Sequence, residues 1–149
     1  MNAALRSARP TDAGTAGQIL WQNQRDSDWL PDLYSAAETI GFCGVMIDRG
    51  WVTVAVIDDR VQGFLARDGT EICGLYLSPE VRGRGVGRCL IEDAKCRSGL
   101  LHLRAFQANT NAQRFYRRAG FVSVSRGIGA ENDENLPDIA YVWRKEAAQ

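Results

Sequence analysis

One histidine in 149 residues, and no pair of cysteines at metal-ligand spacing, leaves little from which to build a transition-metal site. His102 reads as an ordinary strand residue, and no metal is expected. The four cysteines, Cys43, Cys73, Cys89 and Cys96, contain no C-x-x-C pair. They are expected to be small buried hydrophobes in a reducing compartment, not disulfide partners. An excess of charge is also missing: 18 basic residues face 18 acidic ones, for a formal net charge of zero. That argues against a general nucleic-acid binder or a binder of anionic membranes, which carry a basic excess. No apolar run approaches the ~20 residues of a membrane-spanning helix. The opening MNAALRSARPTDAG lacks the apolar core of a signal peptide. The expected location is therefore the cytoplasm, with neither nucleic acid nor membrane as partner. Internal repeats and low-complexity tracts are absent as well.

What remains is ordinary for a globular chain: 45% hydrophobic and 24% charged residues. The length suits a single domain over residues 1–149, with a core large enough to fold without staples. Leu5 to Arg9 reads as a short strand ended by Pro10. Thr11 or Asp12 offers an N-cap for a helix through about Gln22. An aromatic-rich helical region is expected from about Asp28 to Arg49, carrying Trp29, Leu30, Leu33 and Tyr34, largely as core. Trp51–Ile57 and Val61–Ala66 form a β-branched hairpin around Asp58-Asp59, and Asp68-Gly69 turns the chain into Glu71–Leu77. A helix follows with Val86, Cys89, Leu90 and Ala94 on one face. Leu100–Phe106 is the next strand, parallel to its predecessor because a helix lies between them. Asn109 caps a helix whose Ala112, Phe115, Tyr116 and Ala119 fall at i, i+3, i+4 and i+7, stopped by Gly120. Two strands, Phe121–Ser125 and Ile139–Trp143, close the chain around an acidic loop holding Glu131, Asp133, Glu134 and Asp138. This order is α+β with a mixed sheet. If the final strand ends that sheet, its edge would allow pairing as a homodimer.

The densest chemistry lies between Glu71 and Arg97. Three glycines alternate through Arg82-Gly83-Arg84-Gly85-Val86-Gly87, followed by Arg88, where a strand gives way to a helix. A helix N-terminus presents free N–H groups and the positive end of its dipole, and glycine lets an anion approach the backbone closely. Phosphate is the natural occupant, with Arg82, Arg84 and Arg88 as cationic forks. The pattern fits neither a dinucleotide turn, since Arg88 stands where the third glycine belongs, nor a P-loop, since no Gly-Lys-Ser/Thr follows.

The run instead resembles the R/Q-x-x-G-x-G signature of the GNAT superfamily of acetyl-coenzyme A-dependent N-acetyltransferases, through Arg82, Gly85 and Gly87. A second signature, N-x-x-A-x-x-F-Y-x-x-x-G-F, is matched by Asn109, Ala112, Phe115, Tyr116, Gly120 and Phe121. The motifs span roughly Glu71 to Phe121, and the order of elements resembles the GNAT fold from end to end. The resemblance implies a mostly antiparallel GNAT-like mixed sheet flanked by helices, with acetyl-CoA as acyl donor and an amine as acceptor. It implies that the turn from Arg82 to Arg88 (Gly83, Arg84, Gly85, Val86 and Gly87 within it) holds the coenzyme pyrophosphate. The backbone of Leu75, Tyr76 and Leu77 would pair with the pantetheine arm and polarise the acetyl carbonyl.

Amide formation from a thioester makes three demands. The ammonium, with a pKa of about 10, must lose a proton; the carbonyl oxygen must be stabilised; the thiolate must leave. Tyr116 is the acid that the resemblance implies, although a core aromatic on an A-x-x-F-Y face has the same sequence. Glu71 is the base implied for some members of the superfamily, acting directly or through water; a solvated glutamate at a strand start is the alternative. Asn109 either contacts the pantetheine, caps its helix, or does both. The leading reading is an N-acetyltransferase with direct attack in a ternary complex, on a primary amine of a small molecule or peptide. A non-catalytic acyl-CoA-binding sensor is the alternative. The acidic loop offers attraction for a cationic amine or is simply solvated.

Overall fold

A computed structural model describes residues 2–146. Seven strands form one sheet: β1 (Ala4–Ser7), β2 (Val52–Ile57), β3 (Arg60–Asp68), β4 (Glu71–Leu77), β5 (Leu100–Phe106), β6 (Val122–Gly127) and β7 (Asp138–Arg144). Their order in the sheet is β1-β2-β3-β4-β5-β7-β6, and only β4 and β5 run parallel. The four helices are α1 (Ala13–Arg25), α2 (Ala36–Asp48), α3 (Val86–Arg97) and α4 (Thr110–Arg118). Residues of α1 and α2 pack on one face around Ile19, Leu20, Cys43 and Phe64. Those of α3 and α4 pack on the other around Leu90, Ile91, Leu101, Tyr116 and Tyr141. The expected α+β fold with a mixed, mostly antiparallel sheet is the one observed.

Several expectations are corrected. The final strand is not a sheet edge: β7 inserts between β5 and β6, so the free edges belong to β1 and β6. The long antiparallel match of β7 to β5, from Leu100↔Arg144 to Phe106↔Asp138, draws β7 inward. The helical region after α1 begins only at Ala36, because Ser35 and Glu38 form a capping box there. Pro31, which cannot donate to a helical ladder, lies in the irregular stretch before it. Trp29, Leu30, Leu33 and Tyr34 therefore sit on an irregular segment and not on a helix. Of the cysteines only Cys43 is buried; Cys73, Cys89 and Cys96 are exposed. On α3 the inward position falls to Ile91, while Cys89 faces out.

Asp12 stands at the N-cap position of α1 but accepts no bond from that helix. Its carboxylate receives two bonds from the Arg6 guanidinium, at 2.8 and 3.1 Å, and one from the Arg9 N–H at 2.7 Å. The bonds from Arg6 hold Asp12 below the usual carboxylate range against the opposing effect of burial. A group depressed on folding stabilises above its unfolded value, about 3.9, and that contribution is lost as pH falls through the folded value. Asp12→Ala is expected to cost about 2 kcal/mol at pH 7, as for charge-assisted bonds on a buried carboxylate. Urea titrations of both proteins should show the gap narrowing below about pH 4; a gap that is constant down to pH 2 contradicts the assignment.

Candidate active site

The parallel pair at the centre of the sheet is barely a pair. β4 and β5 share one register match, Glu71↔His102, supported by the His102 N–H donating to the Thr70 carbonyl at 2.9 Å. Beyond it each strand is held on its outer side only, β4 by β3 as far as Gly63↔Leu77 and β5 by β7 as far as Phe106↔Asp138. The strands diverge towards their C-terminal ends and leave a V. Backbone groups facing that opening lack a neighbouring strand, and buried main-chain groups require partners. A ligand with amide groups of its own can supply them.

A bulge decides which side chains enter the V. Cys73 is an extra residue in β4, since Ala66 pairs with Gly74 and Arg67 with Ile72. One extra residue reverses the alternation of a strand. Ile72, Leu75 and Leu77 consequently pack with the α3 side, whereas Tyr76 packs with the α1 side. The reversal aims Leu75 and Leu77 at one half of the cleft and Tyr76 at the other.

The first half is a cavity of about 660 Å3 bounded by Leu75, Leu77, Gly83, Gly87, Asn109 and Tyr116. The glycine turn closes one end of it. Gly83 and Gly85 adopt left-handed backbone, with φ of 76° and 86°, and Gly85 is the N-cap of α3. Gly87 serves a different purpose: a Cβ there would lie 3.3 Å from the Phe115 ring, so its absence lets α4 approach α3. Arg84 and Arg88 are exposed beside the turn, while the Val86 side chain is core and leaves only its backbone for a ligand.

Arg82 is turned towards α1. It donates to Asn23 Oδ1 at 3.0 Å and lies 3.8 Å from Asp26. Asn23 in turn donates to the carbonyls of Leu77, at 2.9 Å, and Ile19, at 2.8 Å. The end of α1 is thereby tied to the strand and to the turn. Neither Asn23 nor Asp26 carried a local signal in the sequence; an asparagine late in a helix has no motif, and only the fold brings it to β4.

The second half, about 210 Å3, lies across the V on the α1 side and is lined by Cys73, Tyr76, Phe106 and Glu134 among others. Trp29, Leu75, Asn109 and Tyr116 border both halves, so the two adjoin at these residues and together form a passage across the sheet. Trp29 meets Phe106 edge-on at 5.4 Å and roofs the junction. A third cavity of about 250 Å3 opens outward between Trp21, Pro31, Tyr34 and Glu134.

Tyr116 occupies the junction. Its residue is 8% exposed, and its ring packs among Phe115, Phe121 and Tyr141 at 5.2, 5.6 and 6.5 Å. Burial drives its phenol far above the ordinary value, and Tyr76 is likewise pushed up to about 12 by burial. Both therefore keep their protons at neutral pH, so Tyr116 is present as the phenol and cannot serve as a base. Asn109 accepts from the Ala112 N–H at 3.1 Å and caps α4 while also bordering the cleft, so its two roles coexist. Glu71 is not brought to the cleft. It is exposed at the closed end of the V, about 13 Å of strand from Leu75. Its carboxylate lies 3.8 Å from Cys73 Sγ and borders neither half of the passage.

Residues 32–123 match the family described as acetyltransferase (GNAT) domain. The chain is 36% identical over 110 residues to the peptidyl-lysine N-acetyltransferase YjaB of Salmonella typhimurium, covering 72% of this chain and 75% of that protein. The solution structure of apo YjaB from Escherichia coli superimposes with a TM-score of 0.81 at 26% identity, covering 98% of this chain and all of that one. The fold is shared with yncA of Salmonella typhimurium, solved with acetyl-CoA, at a TM-score of 0.73 and 15% identity, covering 100% of this chain and 97% of that one.

Proposed function

The chain belongs to the GNAT family of acetyl-CoA-dependent N-acetyltransferases, and from that premise we propose that it acetylates a primary aliphatic amine of lysine type by direct attack. The observation that carries this reading is the passage through the sheet. A coenzyme entering from the glycine turn reaches Tyr116 from one side, and an amine entering beside Tyr76 reaches it from the other. Both substrates thus meet at one point without a covalent relay.

In this reading the N–H groups from Gly85 to Arg88 take the pyrophosphate at the start of α3. Arg82, Arg84 and Arg88 surround it, with Arg82 exchanging its contacts to Asn23 and Asp26 for phosphate oxygens. The backbone of Leu75 to Leu77 pairs with the pantetheine arm and orients the thioester carbonyl, and Asn109 borders the same arm. Tyr116 protonates the departing thiolate. A cysteine relay is disfavoured: desolvation and the Glu71 carboxylate beside it raise the Cys73 thiol, the opposite of what a nucleophile needs. The name of the YjaB relative supports a lysine side chain as acceptor. Three exposed free cysteines suit a reducing, cytoplasmic setting. Among the described residues no helix is long and apolar enough to cross a membrane.

The experiment is a steady-state matrix of acetyl-CoA against an Nα-blocked lysine peptide, reading thiol release. Intersecting lines are expected for a ternary complex. Parallel lines would indicate an acetyl-enzyme and overturn direct attack. Acetyl-CoA binding with no transfer to lysine peptides, free α-amines or polyamines would instead favour an acyl-CoA sensor.

A further inference from the structure

We propose that Glu134, on the loop between β6 and β7, receives the acceptor ammonium and takes its proton before attack. The inference deepens the reading above and rests on it. A carboxylate at the acceptor side would stabilise an entering ammonium and could take its proton, and Glu71 borders neither half of the passage. Glu134 is partly buried and borders both the inner half of the passage and the cavity that opens from it to solvent. It stands on the route an amine must take, and it is the one carboxylate bordering the inner half among the described residues.

Among the described residues no cation pairs with Glu134. From β5, Arg104 reaches the same cavity but is bound to Asp138 at 3.1 Å. From the end of α1, Arg25 lies 4.0 Å from Asp32. Tyr76 from β4 and Tyr116 from α4 are kept neutral by burial. The Cys73 thiol is raised, and Asp28 adds a further negative charge at the outer cavity. An incoming ammonium is the missing partner.

The loop is also held in place. Tyr34 donates its hydroxyl proton to Asp133 Oδ2 at 2.6 Å, joining the segment after α1 to the residue beside Glu134. Tyr34 is braced in turn against Phe42 of α2, with ring centroids 5.0 Å apart and planes at 87°. The bond to Asp133 pushes Tyr34 up to about 12, so it remains a donor over the working range. Tyr34 is thus a positioning residue for Glu134, the latch that sets the carboxylate at the junction of the two cavities.

The proton ledger closes. The ammonium N–H bond breaks and the proton passes to the Glu134 carboxylate. The freed lone pair forms the N–C bond, the carbonyl returns, and the C–S bond breaks. The sulfur takes a proton through Tyr116, replaced by the second proton leaving the acceptor nitrogen. Glu134 releases its proton to solvent, so each turnover yields one amide, one thiol and one proton.

The test compares Glu134→Gln with Glu71→Gln, using acetyl-CoA and an Nα-blocked lysine peptide from pH 6 to 10. For Glu134→Gln, kcat/KM is expected to fall about 10²-fold at pH 7, with the loss shrinking towards pH 10 as the acceptor deprotonates itself. A hydrazide acceptor, already neutral at pH 7, should be spared. A second arm needs no turnover: n-butylammonium binding to the protein saturated with CoA, followed by tryptophan fluorescence, should weaken at least tenfold in Glu134→Gln. Tyr34→Phe should show the same pH-dependent loss in milder form. An unchanged profile for Glu134→Gln, or the predicted profile in Glu71→Gln instead, overturns the proposal. So does butylammonium affinity that is absent in the wild type or indifferent to the substitution. Failure of acetyl transfer by the wild type, with CoA and butylammonium still bound, would strike the proposed function and leave Glu134 to be decided by the binding arm.

Discussion

Tyr116→Phe is expected to lower kcat about 10²-fold while leaving the Kd for acetyl-CoA within about twofold. The substitution removes one oxygen and keeps the ring, so contacts with Phe115, Phe121 and Tyr141 survive and the core is undisturbed. What is lost is a proton donor held at the junction of the two halves of the passage. General acid catalysis contributes about 10²- to 10⁴-fold, and a thiol of pKa about 8.5 already leaves fairly well, which places the effect at the lower end. Because burial raises the Tyr116 phenol, the acid form prevails throughout the assay range and the loss should not vary between about pH 6 and 9. That constancy separates it from Glu134→Gln, whose loss follows the protonation of the acceptor. Single-turnover rates with a good amine acceptor are the measurement, and a rate unchanged from wild type would remove the acid role.

Gly85→Val should have the second large effect, on the coenzyme. At φ of 86° a β-branched residue incurs about 1–3 kcal/mol of backbone strain. The unliganded turn can relieve it by swinging out of the left-handed region, but the cradle of N–H groups is then lost. Binding must restore the strained form, so the Kd for CoA should rise about 10- to 100-fold, at 1.4 kcal/mol per factor of ten. The melting temperature without ligand should change less than that penalty implies. Calorimetric titration with CoA, beside desulfo-CoA and pantetheine, gives the check. Pantetheine lacks the pyrophosphate and should bind both proteins alike. An unchanged Kd for CoA in the variant would mean that the turn does not hold the phosphates.

The glycine turn, the cap at Asn109 and the α4 stripe were legible in the sequence because each is set by residues a few positions apart. Positive φ, side-chain capping and a period of 3.6 are short-range constraints, and they set the turn, the cap and the buried face of α4. The family resemblance rested on these same residues, and the fold class on the order of strands and helices. Other features depend on pairings between distant segments. The insertion of β7 between β5 and β6 moved the free edge away from the chain's final strand. The bulge at Cys73 separated Tyr76 from its neighbours, and the single register match of β4 with β5 opened the V. Those pairings also left Glu71 at the closed end of the V. Tyr34 meets Asp133 across 99 positions of chain, and Glu134 beside it comes to border the cavity across the V. The sequence by itself determined the glycine turn at the start of α3 and the buried face of α4, through local backbone chemistry. The cavity across the V was decided by tertiary structure, because its wall joins the end of α1 and the segment that follows it to the β6–β7 loop, and these meet only when the chain folds.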